Sequence, residues 1–239
     1  MWMYRTNSPV DIWLLFTIAF APGIFWVWFF YKQDVYEPEP LSLVVKMYFL
    51  GMGAAVVALF LESSISPFVP GLLFPAVAAP VTEELMKFAV VVLFVYRDSE
   101  FDEPVDGIVY ATATALGFAT LENLLYILPA ESLSSLVASG LFRAILSVPG
   151  HALFAVFWGY ALGIAKFRPP GKKAAIVAFG LILAIAVHGF FNLLLDLSYP
   201  GLAVLFLIIL PCIWWIAEKR IRKALLSEFG YATATLREK

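Results

Sequence analysis

Seven apolar blocks of membrane-spanning length fill almost all of this 239-residue chain. They run from Ile12 to Tyr31, Leu43 to Leu61, Phe68 to Tyr96, Val105 to Leu128, Leu136 to Ala165, Ala174 to Leu195 and Leu202 to Ala217. About 20 helical residues cross the hydrocarbon of a bilayer, and each block reaches or approaches that length. Hydrophobic residues make up 62% of the chain and charged ones 14%, against roughly 45 to 50% and about 25% in soluble domains. Lipid must therefore solvate much of the surface. The expected fold is all-α, a polytopic bundle of about seven transmembrane helices. A single membrane-embedded domain (1–217) is expected, followed by a short polar tail (218–239). The third and fifth blocks are longer than a span needs, so they must tilt, bend or protrude. Pro70, Pro75 and Pro80 make a bend in the third easy to accommodate. Ala19, Phe20 and Ala21 faintly resemble a signal-peptidase site, but the apolar run continues through Pro22 to Tyr31 and reads as an uncleaved span.

The basic residues orient the bundle. The connections around 62–67, 129–135 and 196–201 contain no Lys or Arg. The intervening connections hold Lys32, Arg97, and the group Lys166, Arg168, Lys172 and Lys173; the tail holds Lys219, Arg220, Arg222 and Lys223. Positive residues stay cytosolic, which puts the N-terminus outside and the C-terminus in the cytosol, with Arg5 alone dissenting. The net charge is -2 and the cations sit at block ends, so no basic face for nucleic acid is expected. One cysteine, Cys212, excludes an intrachain disulfide.

An ionisable side chain near the bilayer centre costs about 2.5 to 3.5 kcal/mol or more unless it faces other helices or water. Glu83, Glu84 and Lys87 lie in the third block, Glu122 and Asn123 in the fourth, Arg143 and His151 in the fifth, and His188 and Asn192 in the sixth. Helical rise puts Glu83, Glu84, His151 and His188 near one depth, with Glu122 a turn or two nearer the outer end. Lys87 follows Glu83 by four residues and Glu84 by three, so it can neutralise one carboxylate while the other faces a cavity. The remaining negative charge favours a proton or a metal ion. His188 and Asn192 share one helix face, a pairing suited to polarising a carbonyl or holding a water.

Four segments carry a resemblance: Glu83-Glu84-Leu85-Met86-Lys87, Phe118-Ala119-Thr120-Leu121-Glu122-Asn123, His151-Ala152-Leu153-Phe154, and His188-Gly189-Phe190-Phe191-Asn192. Their content and order resemble the PrsW family of intramembrane proteases and, more distantly, the CAAX prenyl protease superfamily. Glu122, where CAAX proteases commonly have histidine, favours the PrsW side. Asn192 departs from the acidic residue found there in many PrsW-like sequences. The resemblance implies a polytopic enzyme that hydrolyses a peptide bond of a membrane-anchored protein, such as an anti-sigma factor, in a prokaryotic cytoplasmic membrane. No His-Glu-x-x-His, Gly-x-Ser-x-Gly or Gly-x-Gly-Asp run offers another intramembrane protease chemistry.

The expected site is Glu83, Glu84, Glu122, His151, His188 and Asn192, supported by Lys87, Asn123 and Arg143. Glu83 or Glu84 is the general base. Glu122, His151 and His188 either bind a divalent metal, with zinc the natural choice, or orient water and oxyanion directly; two histidines and one carboxylate form a recognised catalytic zinc set. Duller roles exist for single residues: a lone histidine in a bundle is often a packing residue, Asn123 and Asn192 can glue helices together, and Arg143 can pair with Glu122 or Glu131. Two further classes compete, a non-catalytic scaffold of the same superfamily and a proton or ion transporter. A transporter more often shows internal repeats, and none is found. Retention of both glutamates separates an enzyme from a scaffold. The orientation is checked by reporter fusions: one after Lys172 should report cytosol and one after Ser134 the exterior, and reversed labelling would overturn it.

Overall fold

The first apolar block folds as one helix, α1 (Ile12–Tyr31), which continues through Pro22. A computed structural model describes residues 12–237, with side chains described up to residue 226 apart from Ser198. Arg5, the start of the expected membrane domain and the last two residues of the tail lie outside the described residues. The second block is α2 (Leu41–Ile65). The third is bent as its prolines lead one to expect. A 3-10 turn (Ser66–Phe68) leads to Gly71, whose φ of 52° lies in the left-handed region that glycine enters freely. A π turn (Phe74–Ala78) then runs into α3 (Ala79–Phe94). Pro75 and Pro80 each occupy the second position of their segment, where a missing N–H costs little.

The fourth block is α4 (Asp106–Ile127). The fifth divides into α5 (Leu133–Ile145) and α6 (Ser147–Lys166). Pro149 explains the division: it cannot donate to the carbonyl of Ile145, and its ring crowds that carbonyl, so α5 ends there. The sixth block is α7 (Pro170–Asp196). The last comprises α8 (Ser198–Val204), a π turn (Leu205–Ile209) and α9 (Leu210–Arg237), which crosses Ala217 without a break. No strand occurs among the described residues, and the all-α expectation holds. Six segments are long and apolar enough to cross a membrane. The seventh, formed by the π turn and α3, carries Glu83, Glu84 and Lys87 and is the most highly charged of the blocks.

Burial ranks these helices. In α4, 78% of the spanning window is inside the bundle, against 11% in α1, so α4 is the axis around which the rest assembles. It packs on α1, α2, α3, α5 and α6, and α6 in turn packs on α7 and α9. Small residues allow this. Gly51 of α2 lies against the Thr114 carbonyl and Gly117 of α4 against the Tyr48 carbonyl, with no room for a Cβ at either point. Such close crossing replaces the hydrophobic drive that lipid cannot supply between helices. The Tyr48 hydroxyl donates to Thr120 Oγ1 at 2.7 Å across the same seam. Gly117→Val or Gly51→Val should therefore lower unfolding stability in detergent by about 1–3 kcal/mol. Gly53→Ala, beside open space, should leave it unchanged; equal effects would contradict the close α2–α4 crossing.

Candidate active site

Lys87 reaches from α3 into the middle of the bundle with no exposed side-chain surface. Its ammonium donates to Glu84 Oε1 at 2.8 Å, to Glu83 Oε2 at 3.3 Å and to His151 Nδ1 at 2.9 Å. It also lies 4.3 Å from the centroid of the Phe118 ring. The i, i+3 and i, i+4 spacing on α3 makes the two carboxylate contacts, and α6 brings the imidazole.

The two glutamates differ sharply in surroundings. Glu84 is fully enclosed: Oε1 accepts from Lys87 and from His188 Nδ1 at 3.0 Å, and Oε2 accepts from the Trp158 indole at 2.9 Å. Glu83 instead lines a cavity of ≈ 460 Å³ together with Glu122, Arg143, Ser147, His151, His188 and Asn192. Its Oε2 lies 3.7 Å from His151 Nδ1 and 4.0 Å from His188 Nε2.

The partners fix the histidine tautomers. A carboxylate only accepts, so His188 carries its proton on Nδ1 and presents the Nε2 lone pair toward Glu83. An ammonium only donates, so His151 takes the Lys87 hydrogen bond on Nδ1 and donates from Nε2 to Glu122 Oε2 at 2.9 Å. Phe154 stacks on His188 with centroids 4.7 Å apart. Glu122 is held from its other side by Arg143 Nη2 at 2.8 Å.

The structure thus joins Glu83, Glu84, Glu122, His151, His188 and Lys87 in one connected cluster. The break before α6 makes His151 the fifth residue of its helix, and it stays near the middle of the Leu133–Lys166 span, as expected. Asn123 is absent from the cavity wall. It accepts from Arg143 Nε at 3.2 Å and donates to the Ile18 and Ala19 carbonyls, tying α1, α4 and α5 together. Asn192 lines the cavity and donates to the Pro75 carbonyl at 3.0 Å, tethering the π turn to α7. Trp158, Ser147 and Glu62 were not singled out from sequence. Trp158 follows His151 by seven residues, two turns along the same face of α6. Glu62 follows Ala55 and Ala58 at the same helical spacing, and all three line the cavity.

Two groups of three potential metal donors occur among the described residues. One is Glu83, His151 and His188, with donor atoms within 4.8 Å of one another. Here Glu83 joins the histidines as the carboxylate, while Glu122 is engaged by Arg143. The other is Asp34, Glu39 and Asp106, about 24 Å away along α4 by helical rise from Asp106 to Glu122. The Tyr110 hydroxyl donates to Glu39, and burial pushes the Glu39 carboxyl up to about 7.

Residues 39–216 match the sequence profile of the PrsW family of intramembrane metalloproteases. The chain belongs to the PrsW family. A protease PrsW of Geobacillus kaustophilus is 36% identical over 220 residues, covering 88% of this chain and 92% of the relative. Those of Clostridioides difficile and Bacillus subtilis are each 29% identical, covering 90% and 88% of this chain and 91% and 95% of their own. No solved structure matches it. The chain is accordingly a multi-pass membrane protease. The donor types and their spacing suit a divalent metal: Glu83 and His188 Nε2 face one another, and His151 would complete the set once Lys87 gives up its hydrogen bond to Nδ1.

Proposed function

We propose that the chain hydrolyses a peptide bond in a membrane-anchored protein of the cytoplasmic membrane, with Glu83 as the general base. One observation carries this reading: Glu83 alone of the adjacent glutamates opens to the cavity, while Glu84 spends every contact on holding Lys87, His188 and Trp158. Glu84 is then an anchor, the role that the i, i+3 pairing allows.

The residues assign themselves roles by reach. A water beside Glu83 gives a proton to the carboxylate as its oxygen attacks the scissile carbonyl carbon. Lys87 donates to that carboxylate and keeps it oriented. The developing oxyanion is met by Arg143, the sole Lys or Arg among the cavity-lining residues, with the Ser147 hydroxyl on the same wall. Collapse breaks the C–N bond, and Glu83 returns the proton to the leaving amine, acting first as base and then as acid. Apolar walls from Ala55, Ala58, Phe74, Phe118, Phe154 and Phe191 keep bulk water out and strengthen each of these interactions. If a divalent ion is bound, Glu83, His151 and His188 would hold it, and it would lower the pKa of the attacking water. The cavity extends to Glu62, Tyr126 and Asp196 at the end bearing the second, fourth and sixth connections, the exterior end by the distribution of Lys and Arg.

The test uses purified protein in proteoliposomes with a tagged, single-span membrane protein of anti-sigma-factor type. Glu83→Gln should fold as wild type by circular dichroism and lose cleavage by roughly 10²–10⁴-fold; a wild-type rate would overturn the assignment. Reversible loss of cleavage on chelation, with metal content lowered in His188→Ala, would establish the metal-assisted form. Chelator-insensitive cleavage by metal-free protein would leave Glu83 and its hydrogen-bonded neighbours as the whole machinery.

A further inference from the structure

At the far end of the bundle from the cavity mouth, α6, α7 and α9 enclose a second, apolar groove. It has a volume of ≈ 350 Å³ and is lined by Tyr160 and Ala161 of α6, Ala175, Ile176 and Phe179 of α7, and Arg220 of α9. Ala175 and Phe179 are exposed on the outer surface of the bundle, where lipid must lie. Arg220 is the only charged residue of the lining.

The guanidinium rests against two aromatic rings, its Cζ 5.1 Å from the Phe157 centroid and 5.0 Å from that of Tyr160. Its Nε is buried with no hydrogen-bond partner, and no carboxylate forms an ion pair with it, among the described residues. The surrounding charges offer none. Lys166 ends α6, Lys172 and Lys173 begin α7, and Lys219, Arg222 and Lys223 flank Arg220 on α9. Among the described side chains of α9 the one carboxylate, Glu218, is bound to Arg222 at 2.5 Å. A half-buried guanidinium among six further cations, at the rim of an apolar groove, lacks only an anion attached to something apolar.

We propose that this groove binds one anionic phospholipid, its phosphate on Arg220 and an acyl chain along Ala161, Ile176 and Phe179. Three features match that ligand and no other class as well. The charge complement is single and positive. The groove wall below it is apolar. The convergence of the basic ends of three helices sets Arg220 at headgroup depth, where a leaflet supplies phosphate. An aromatic-stacked guanidinium is also a pre-organised phosphate binder, with its fork held in one plane. The proposal is independent of the proteolytic reading.

Native mass spectrometry of the purified full chain, titrated with phosphatidylglycerol and with phosphatidylcholine of the same acyl chains, tests it. Wild type should retain one phosphatidylglycerol in preference to phosphatidylcholine, and Arg220→Gln should weaken that binding roughly tenfold. Ala175→Trp, which fills the groove and leaves every charge in place, should weaken it as well and serves if the Arg220 variant does not fold. Lys172→Gln with Lys173→Gln should have the smaller effect. Equal retention of the two lipids by wild type would overturn the site. So would phosphatidylglycerol binding unchanged in Arg220→Gln or Ala175→Trp, or displacement of the lipid by inorganic phosphate, which would make the groove a simple anion site.

Discussion

A single ammonium inside a membrane bundle sets the terms for everything around it. Lys87 is fully buried and can stay charged only if its three protons are met. The three acceptors come from Glu83, Glu84 and His151. Desolvating a lysine and two glutamates costs several kcal/mol per ion, so the cluster is tolerable only because each group is hydrogen-bonded in good geometry. One negative charge is left over after Lys87 is counted. Glu84 has no surface on which to carry it, whereas Glu83 faces a cavity. The pairing therefore divides two adjacent, chemically identical residues into an enclosed anchor and one that opens to the cavity.

The same interaction disciplines the fold. His188 is oriented by Glu84 and His151 by Lys87 and Glu122, so four helices are tied to one charge cluster. Around it, glycine crossings bring α2 and α4 into backbone contact, and Asn123 and Arg143 pin α1 and α5. Rigid surroundings of this kind hold the groups of the cluster in a fixed mutual geometry. The lipid-facing helices carry little of this burden, and α9, with its basic flank, is free to engage the headgroup region.

Much of this was legible in the sequence, for reasons that can be named. Apolar length gave the helices, because nothing but a helix satisfies its own backbone in lipid. The cost of burying ions drew Glu83, Glu84, Glu122, His151 and His188 together on paper, since each had to face inward. The i, i+3 and i, i+4 spacing anticipated the Lys87 pairings. Less was legible where position around the helix axis mattered. Nothing in the spacing said which glutamate would face the cavity, nor that Glu83 would stand with the histidines; the pairing of Arg143 with Glu122 was one of the two that the sequence offered. The break at Leu146 had a signal in Pro149-Gly150, which blocks an i to i−4 hydrogen bond. Asn192 looked like a site residue and is equally a tether, its amide spent on the Pro75 carbonyl.

The central claim is that the Glu84–Lys87 pair is one energetic unit that organises the site. A double-mutant cycle measures it directly, using Glu84→Gln, Lys87→Met and the double variant, each unfolded in the same detergent. Breaking a buried pair from one side costs about 3–5 kcal/mol. Each single variant should therefore be strongly destabilised, and the double variant should be less so than their sum by more than about 2 kcal/mol. Additive losses, or a single variant as stable as wild type, would contradict the account.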